Sequence, residues 1–474
     1  KSQHPAELTT HPSSLSRYTA FGGYSTTGEW HLQQKTDHRG ATPPAENRPP
    51  GSDTSRTGPT RSSAGARSVR TGANLGSPMM GTQMADATRP AHLLSVGLLA
   101  DSSMENERRL PIHPHHLDRI DPDLRARMIV ERGYGSDFRL EPGYLESRVG
   151  TVTDRAEVLA SADVLLLPKP QAADVAVIPE GRVLWGWPHC VQDAVMTQTA
   201  IDRRLTLIAF EAMNHWTSKG DMSLHVFHKN NELAGYSSVL HALSLVGSTG
   251  DYGPRLSAVV IGFGATARGA VTALNAQGVH DIEVLTQRGA AAVGSPIPNA
   301  HITQLNTDAV PHEATTDDGD VPLPEFLASY DIIVNCTFQD VAAPLTYLTT
   351  ADLAQFAPGT LIIDVSCDEG MGFEWATPTT FDEPMFTVGA GVEYYAVDHS
   401  PSYLWNSATW EISEALLPFL RTVMEGPDAW ADNETLTRAI EIRDGVIQNP
   451  SILSFQGREP AYPHHLIANH PETT

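Results

Sequence analysis

The sequence predicts an α/β fold of two parallel-sheet domains with a cleft between them, preceded by a disordered N-terminal segment. Three observations support this prediction. Short apolar runs alternate with helical patterns from residue 92 onward, which is typical of parallel sheets. A glycine-rich turn follows one of these runs at Gly262. The first 90 residues are instead rich in Ser, Thr, Gly, Pro and Arg and contain few aliphatic residues.

Length and charge restrict the class of protein. The 474 residues suffice for two ordinary domains and a tail. The net charge of −24 argues against nucleic acid or an anionic membrane as a partner, because phosphates would be repelled. The 3 cysteines have neither disulfide nor metal-ligand spacing, so we expect no metal site and a reducing cytoplasm. No signal peptide and no membrane-spanning run is recognisable, which indicates a soluble protein.

Residues 1–90 differ from the rest in charge as well as in composition. They carry ten Lys and Arg against six Asp and Glu, so this segment is basic in an acidic chain. It cannot bury enough apolar surface to offset the entropy lost on ordering, which predicts disorder. A regulatory or targeting arm, or a functional chain that starts near Met80 or Met84, stays open as an alternative.

Hydrophobic patterns give the expected elements of each domain. In the first domain, the expected strands are 92–99, 125–131, 163–167, 182–186 and 205–210, and the expected helices are 115–120, 154–160 and 193–203. After a helix over 232–246, the expected strands are 258–261, 282–285, 332–335 and 361–365, with a long helix over 408–424. We therefore expect a substrate domain of residues 91–235 and 398–474 and a dinucleotide-binding domain of residues 236–397.

The segment from 257 to 289 has the order strand, glycine turn, helix and second strand, as in Rossmann-like dinucleotide-binding domains. Gly262 permits a tight turn, and Gly264 lets backbone N–H groups approach a pyrophosphate at the helix N-terminus. The candidate cofactor-binding residues are Gly262, Gly264, Ala265, Thr266, Ala267, Thr286, Gln287 and Arg288. A glycine-rich turn in another kind of α/β domain is the structural alternative.

The end of the second strand bears on the type of cofactor. An acidic residue there would bind the ribose 2′-hydroxyl of NAD(H). This chain has Thr286, Gln287 and Arg288 instead, so nothing repels a 2′-phosphate and Arg288 can pair with it. The sequence therefore favours NADP(H) over NAD(H).

Three polar residues in the first domain follow expected strands. They are Arg109, Lys169 and His189. Ligands of open α/β sheets bind at the carboxyl ends of the strands, which makes these residues candidates for substrate binding and proton transfer. The structural alternatives are an Arg109 paired only with Glu107, a solvated lysine in a proline-rich turn and a structural histidine beside tryptophan.

Several separated motifs carry a resemblance to a known family. They are Asn106-Glu-Arg-Arg-Leu-Pro111, Lys169, Gly186-Trp-Pro-His189 and the segments 231–236, 262–270, 359–368 and 401–404. Together they make residues 92–460 resemble the alanine dehydrogenase and transhydrogenase superfamily, and within it the N5-(carboxyethyl)ornithine synthases. Thr286 stands where alanine dehydrogenases carry Asp, and 399–402 replace their Asn-Met-Pro-Gly stretch. Both departures favour the synthases.

The resemblance implies an NADPH-dependent condensation of pyruvate with the side-chain amine of L-ornithine or a related amino acid. Arg109 and Lys169 would bind the substrate carboxylate. His189, with an ordinary pKa of about 6.5, would transfer protons in both directions. Asp368 would orient the nicotinamide ribose or the amine. Acidic residues proposed for the far ammonium group are Asp221, Glu369 and Glu393.

Other functions stay open at this point. Alanine dehydrogenases, which use ammonia, and saccharopine-type dehydrogenases share the same site. A non-catalytic NADP-binding regulator belongs to a different class, but it would need only the cofactor turn, and this chain also retains Arg109, Lys169, His189 and Asp368. The expected partners are a 2-oxo acid and an amino acid. The apolar helix 408–424 is compatible with a homo-oligomer, although core packing explains it equally well.

Overall fold

The computed structural model describes residues 93–288, 297–337, 339, 344–367 and 370–467. The segment 1–90, for which the sequence predicts disorder, lies outside the described residues.

The first part of the described chain alternates strands with helices. Its strands are β1 (Val96–Leu98), β2 (Met128–Glu131), β3 (Thr151–Thr153), β4 (Val164–Leu166), β5 (Val183–Gly186), β6 (Thr206–Ala209), β7 (Asn214–Trp216) and β8 (Met222–His225). Its helices are α1 (Pro122–Arg125), α2 (Arg155–Ser161), α3 (Ala172–Ala176), α4 (Ala194–Asp202) and α5 (His228–Leu245).

The second part of the chain forms another strand-rich unit and then returns to the first. Its strands are β9 (Ser257–Ile261), β10 (Asp281–Thr286), β11 (His301–Asn306), β12 (Glu313–Thr316), β13 (Gly319–Pro322), β14 (Ile332–Asn335), β15 (Thr346–Leu348), β16 (Leu361–Asp364), β17 (Gly372–Phe373), β18 (Met385–Val388) and β19 (Val392–Tyr395). Its helices are α6 (Ala265–Ala276) and α7 (Leu323–Leu327). The C-terminal elements are α8 (Trp405–Glu425), α9 (Pro427–Ala431), α10 (Glu434–Ala439), β20 (Ile440–Arg443), β21 (Val446–Ile447) and α11 (Pro450–Gln456).

The larger elements form two sheets of the same plan. In the described residues, the first sheet has the order β21-β20-β6-β5-β4-β1-β2-β3, and the second has the order β13-β12-β11-β10-β9-β14-β16-β19-β18. The strands from β6 to β3 and from β11 to β19 in these orders are parallel, and antiparallel strands flank them. The central strands β4, β5, β14 and β16 are buried throughout and apolar, except that β14 and β16 end in Asn335 and Asp364.

The predicted class of two Rossmann-like parallel sheets is confirmed. Expected strands appear as β1, β2, β4, β5 and β6 and as β9, β10, β14 and β16. Strands β20 and β21 pair with the first sheet, although they follow the second sheet in the chain. The domain boundaries at 235/236 and 397/398 stay predictions. No helix in the described part of the chain is both long and apolar enough to span a bilayer.

Candidate active site

The glycine turn after β9 has a shape that only glycine provides. Gly262 has φ of 118°, and a Cβ atom on it would lie 2.8 Å from the carbonyl oxygen of Cys336. A side chain would therefore be strained and would collide with the backbone that follows the neighbouring strand β14. At Gly264 a Cβ atom would meet nothing within 4 Å, so the space above the start of α6 is open.

Helix α6 begins at Ala265 and presents its first turn to this open space. The first N–H groups of a helix have no acceptor within it, and the helix dipole favours negative charge at that end. Ala267 is fully buried beneath the turn. The strand, turn and helix thus fit the pyrophosphate of a dinucleotide, with Gly262, Gly264, Ala265, Thr266 and Ala267 around it.

Helix α6 also packs closely against α5. A Cβ atom on Gly269 would lie 1.8 Å from the carbonyl oxygen of Glu232, and one on Gly235 would lie 2.0 Å from that of Thr266. The two backbones therefore touch directly, and no side chain separates them.

The end of β10 holds the three residues that bear on cofactor type. Thr286 is buried, and its hydroxyl accepts a 3.1 Å hydrogen bond from the backbone N–H of Arg288. Gln287 and Arg288 are exposed. The described end of this strand thus offers a hydroxyl, an amide and a guanidinium, and no carboxylate.

The Arg109 side chain is buried against Glu107. Its Nε donates to both carboxylate oxygens at 2.9 and 3.1 Å, and its Nη2 donates to one of them. Nη1 lies 3.4 Å from Oδ1 of Asn230 on α5, and the Trp187 ring centroid lies 5.3 Å from Cζ. Burial alone would raise the pKa of Glu107, but the charge and hydrogen bonds of Arg109 outweigh it and lower that pKa. Glu107 is therefore an anion.

Lys169 and His189 meet at the carboxyl ends of two adjacent parallel strands. Lys169 follows β4 and His189 follows β5, and Nζ of Lys169 lies 3.4 Å from Nε2 of His189. On its other side, Nζ lies 3.5 Å from Oδ2 of Asp398, which follows β19 of the second sheet. The structure therefore brings together two of the residues that the sequence singles out, and a carboxylate that it does not.

His189 has an unusual backbone and an unusual acidity. Its φ is 48°, and its backbone N–H donates to Oε1 of Glu211 at 2.7 Å, which holds the turn in place. Burial and the nearby charge of Lys169 lower its pKa to about 3. The expected ordinary pKa of about 6.5 is thus wrong for this chain. Near neutral pH the imidazole is uncharged and available as a base.

Glu211 is a further carboxyl group of the site, which the sequence analysis did not select. It follows β6, the next strand of the sheet, so the strand-end rule that selects Lys169 and His189 also applies to it. Burial raises its pKa to about 8, and the neighbouring Glu441 contributes in the same direction. Its Oε2 atom is buried without a hydrogen-bond partner among the described residues. Glu211 is consequently protonated and neutral near neutral pH.

Asp398 and His399 are also missed by the sequence analysis. Oδ1 of Asp398 lies 2.5 Å from Nδ1 of His399, and Nε2 of His399 lies 2.7 Å from the carbonyl oxygen of Glu105. Burial alone would raise the pKa of Asp398, but the hydrogen bond from His399 and the charge of Lys169 hold it below its ordinary range. An available signal was the position of the Asp-His pair just before the segment 401–404.

A polar network lies at the carboxyl ends of β14, β16 and β19. Asp364 accepts hydrogen bonds from Nδ2 of Asn335 at 2.9 Å and from the Tyr394 hydroxyl at 2.8 Å. Thr337 in turn donates to Oδ1 of Asn335 at 2.7 Å. These bonds hold Asn335 and Thr337 at the end of β14, which pairs with the strand that precedes the glycine turn.

Among the described residues, the remaining candidates do not join this cluster. Asp368 and Glu369 lie outside the described residues. Asp221 is exposed in the turn between β7 and β8. Glu393 lies near the amino end of β19, where it pairs in register with the first residue of β16. Since the site is at the carboxyl ends of the strands, Glu393 is unsuited to the role suggested for it.

Comparison with known proteins identifies the family. Residues 98–234 match the model of the N-terminal domain of the alanine dehydrogenase/PNT family, and residues 258–450 match that of its C-terminal domain. The chain belongs to this family. The resemblance seen in the sequence is therefore confirmed. As an alanine dehydrogenase-like member of a nucleotide-binding dehydrogenase family, the chain is an oxidoreductase that uses NAD(P).

Similar proteins include two differently named enzymes. An alanine dehydrogenase from Halomonas elongata is 25% identical over 342 residues, which are 68% of this chain and 85% of that protein. An N(5)-(carboxyethyl)ornithine synthase from Lactococcus lactis is 23% identical over 333 residues, which are 68% of this chain and 93% of that protein.

Solved structures share the fold. An L-alanine dehydrogenase has a TM-score of 0.62 at 16% identity and covers 76% of this chain and 99% of its own. A transhydrogenase from Sinorhizobium meliloti has a TM-score of 0.57 at 20% identity and covers 75% of this chain and 99% of its own.

Proposed function

We propose that the protein catalyses the NADPH-dependent reductive condensation of pyruvate with the side-chain amine of L-ornithine or a related amino acid. The product would be N5-(1-carboxyethyl)ornithine. The observation that carries the proposal is the contact between Lys169 and His189 at two adjacent strand ends, with Arg109 near enough to act electrostatically on His189. The similarity to the Lactococcus lactis synthase supports it.

Arg109 is suited to bind the carboxylate of the oxo acid. A guanidinium has five N–H groups. In the described structure, Glu107 engages two of them and Asn230 a third. The two that remain can donate to a carboxylate. The ammonium group of Lys169 adds a second positive charge. Its Nζ lies 3.5 Å from Oδ2 of Asp398, which partly neutralises that charge.

His189 is suited to transfer protons during the condensation. The amine nitrogen attacks the keto carbon, and the proton that it loses passes to neutral His189. The protonated imidazole returns that proton to the alkoxide, which gives the neutral carbinolamine. A second proton, donated by the ammonium group of Lys169 and replaced from solvent, lets the hydroxyl group leave as water and gives the protonated imine. Nζ of Lys169, which lies 3.4 Å from Nε2 of His189, polarises the oxygen of the keto group. A bound NADPH would supply the hydride that reduces the imine carbon.

The preference for NADPH is supported by the end of β10. Thr286, Gln287 and Arg288 present no carboxylate there, and an exposed guanidinium can pair with a 2′-phosphate. The second candidate function is alanine dehydrogenase activity with ammonia, which the similarity to the Halomonas elongata enzyme supports. A saccharopine-type reaction would use another oxo acid and amine at the same residues.

One experiment separates these reactions. NADPH consumption is followed with pyruvate plus L-ornithine, with pyruvate plus ammonia and with 2-oxoglutarate plus L-lysine, and the products are identified by mass spectrometry. We expect the highest kcat/KM for pyruvate plus ornithine and a product mass equal to their secondary amine. Faster turnover with ammonia would replace the proposal with alanine dehydrogenase activity. Tight NADPH binding without turnover of any of the three substrate pairs would instead support a non-catalytic NADP-binding regulator.

A further inference from the structure

The segment Asp398–Ser402 leaves the second sheet after β19 and contacts the substrate side of the site at three points. Asp398 Oδ2 lies 3.5 Å from Nζ of Lys169. Nε2 of His399 lies 2.7 Å from the carbonyl oxygen of Glu105. The Ser402 hydroxyl donates to Oε1 of Glu107 at 2.8 Å. This short segment therefore supplies the carboxylate partner of Lys169 and contacts the carboxylate partner of Arg109.

The two hydrogen bonds of His399 determine where its protons lie. A carbonyl oxygen only accepts, so Nε2 must carry hydrogen and donate to Glu105. Nδ1 faces a carboxylate oxygen at 2.5 Å, and a proton must lie between them because two lone pairs would repel. The ring of His399 is therefore held by a hydrogen bond at each of its two nitrogens, one to Asp398 and one to Glu105.

The surroundings of Asp398 support this arrangement. The charged and titratable groups that interact with the Lys169 and Asp398 pair are His399, His189 and Glu211. The side chain of His399 is fully enclosed, and the Phe381 ring packs against its ring with centroids 4.9 Å apart. The Asp398 side chain is itself 33% exposed, so without the hydrogen bond from His399 it would be free to turn away from Lys169 toward solvent.

Ser402 acts on Arg109 through Glu107, as His399 acts on Lys169 through Asp398. Its hydroxyl bonds the same Oε1 atom that receives the backbone N–H and the Nε of Arg109. Glu107 and Ser402 are both buried, so this bond fixes the plane of the carboxylate. The orientation of the Arg109 guanidinium follows, because it is paired with both oxygens of that carboxylate.

We propose that His399 and Ser402 are positioning residues, which orient Lys169 and Arg109 through Asp398 and Glu107. This inference rests on the proposed function only in its assumption that the two cations bind the oxo acid. The segment Asp398–Ser402 would thereby couple the dinucleotide-binding part of the chain to the affinity for the oxo acid.

The chain offers a matched control for the kinetic test. Ser400 is as buried as Ser402, but its hydroxyl donates to the backbone carbonyl of Ala234 and contacts no charged group. We expect S402A to raise KM for the oxo acid about 5- to 10-fold with kcat within about 3-fold, since each lost bond involves a charged partner. S400A should change KM by less than about 2-fold.

Variants of His399 test whether it orients Lys169 through Asp398. H399L should raise KM for the oxo acid about 10-fold or more and move the acidic limb of the kcat/KM profile upward, because Asp398 loses its donor. H399N, whose amide can still reach Asp398, should recover much of the affinity. The Kd for NADPH, measured by fluorescence, should stay within about 2-fold in all variants. Equal KM values for S402A, S400A and the wild type, or an H399N variant no better than H399L, would overturn the proposal.

A spectroscopic readout does not depend on the identity of the substrate. The proton between Nδ1 of His399 and Oδ1 of Asp398, assigned by comparison with H399N, should give a strongly downfield ¹H signal, because the two atoms are 2.5 Å apart. Absence of that signal would overturn the proposal even if the protein turns over pyruvate and ornithine. If the protein does not turn over pyruvate and ornithine, the proposed function fails, but this spectrum still decides the role of His399.

Discussion

Nζ of Lys169 lies 3.4 Å from Nε2 of His189, so a cation faces the nitrogen that would have to accept a proton. With burial, this contact lowers the pKa of His189 to about 3. The pair consists of a charged lysine and a neutral histidine near neutral pH. The histidine therefore has no proton on Nε2 that it must first lose, but the same contact weakens it as a base.

Removing the charge of Lys169 should raise the pKa of His189. In a K169M variant only burial and the charge of Arg109 keep the imidazole neutral, and Asp398 opposes them, so the pKa of His189 should move from about 3 toward its ordinary value. The pKa is measured from the ¹⁵N shifts of His189 during a pH titration. K219M, at an exposed lysine in the turn between β7 and β8, is the control and should leave His189 unaffected. An unchanged pKa in K169M would contradict the assigned contact.

Replacing His189 should lower kcat by about 10²-fold or more, as is usual when a general acid–base group is lost. Because His189 has φ of 48°, an alanine there also introduces backbone strain. Asparagine tolerates this conformation well, so H189N separates the loss of the base from the strain. We expect H189N and H189A to be equally slow and H189N to be the more stable in thermal unfolding. Wild-type kcat in H189N would exclude His189 from proton transfer.

Replacing Arg288 should reduce the preference for NADPH. In R288Q we expect kcat/KM with NADPH to fall about 10-fold, as for the loss of one charge-assisted hydrogen bond, while kcat/KM with NADH changes little. R255Q is a suitable control, because Arg255 is exposed near the amino end of β9, away from the glycine turn. The preference for NADPH is refuted if the wild type already has the higher kcat/KM with NADH.

Glu211 should destabilise the folded protein at alkaline pH. Its pKa in the folded state is about 8, well above the ordinary value, so the folded protein binds a proton that the unfolded chain releases earlier. The resulting stability is complete below the ordinary carboxyl pKa and is lost as the pH rises through 8. E211Q keeps an acceptor for the His189 N–H without the charge, and should raise Tm by about 2 °C or more at about pH 9. The exposed E146Q is the control. A lower Tm for E211Q at that pH would indicate that the carboxylate is stabilising.

Much of the fold followed from the sequence because parallel strands covered on both faces are nearly uninterrupted apolar runs. The runs 163–167 and 182–186 became the adjacent strands β4 and β5 for this reason. Strands β3, β12 and β13 were not predicted, because they lie at or next to sheet edges, are partly exposed and carry Thr, Gly and Asp. An edge strand is defined by the strand that it pairs with, which is not encoded in its own hydrophobic pattern.

The candidate site was predicted in part. Residues that follow strands in one sheet meet at one edge, so the positions of Lys169 and His189 indicated their contact. The roles of Asp398, His399 and Ser402 depend on how a segment from the second sheet packs against residues 105–109 of the first. The depressed pKa of His189 depends on its burial and on Lys169. Such tertiary contacts have no counterpart in local sequence patterns.

The direct contact between α5 and α6 limits how the enzyme can open. Asn230, in the first turn of α5, touches Arg109, and further along the same helix Gly235 touches the first turn of α6, which begins beneath the glycine turn. With carbonyl oxygens against Cα atoms, the two helices cannot slide past each other. Widening of the site for product release must therefore come from bending elsewhere, and the oxo-acid pocket and the cofactor turn should behave as one rigid block during turnover.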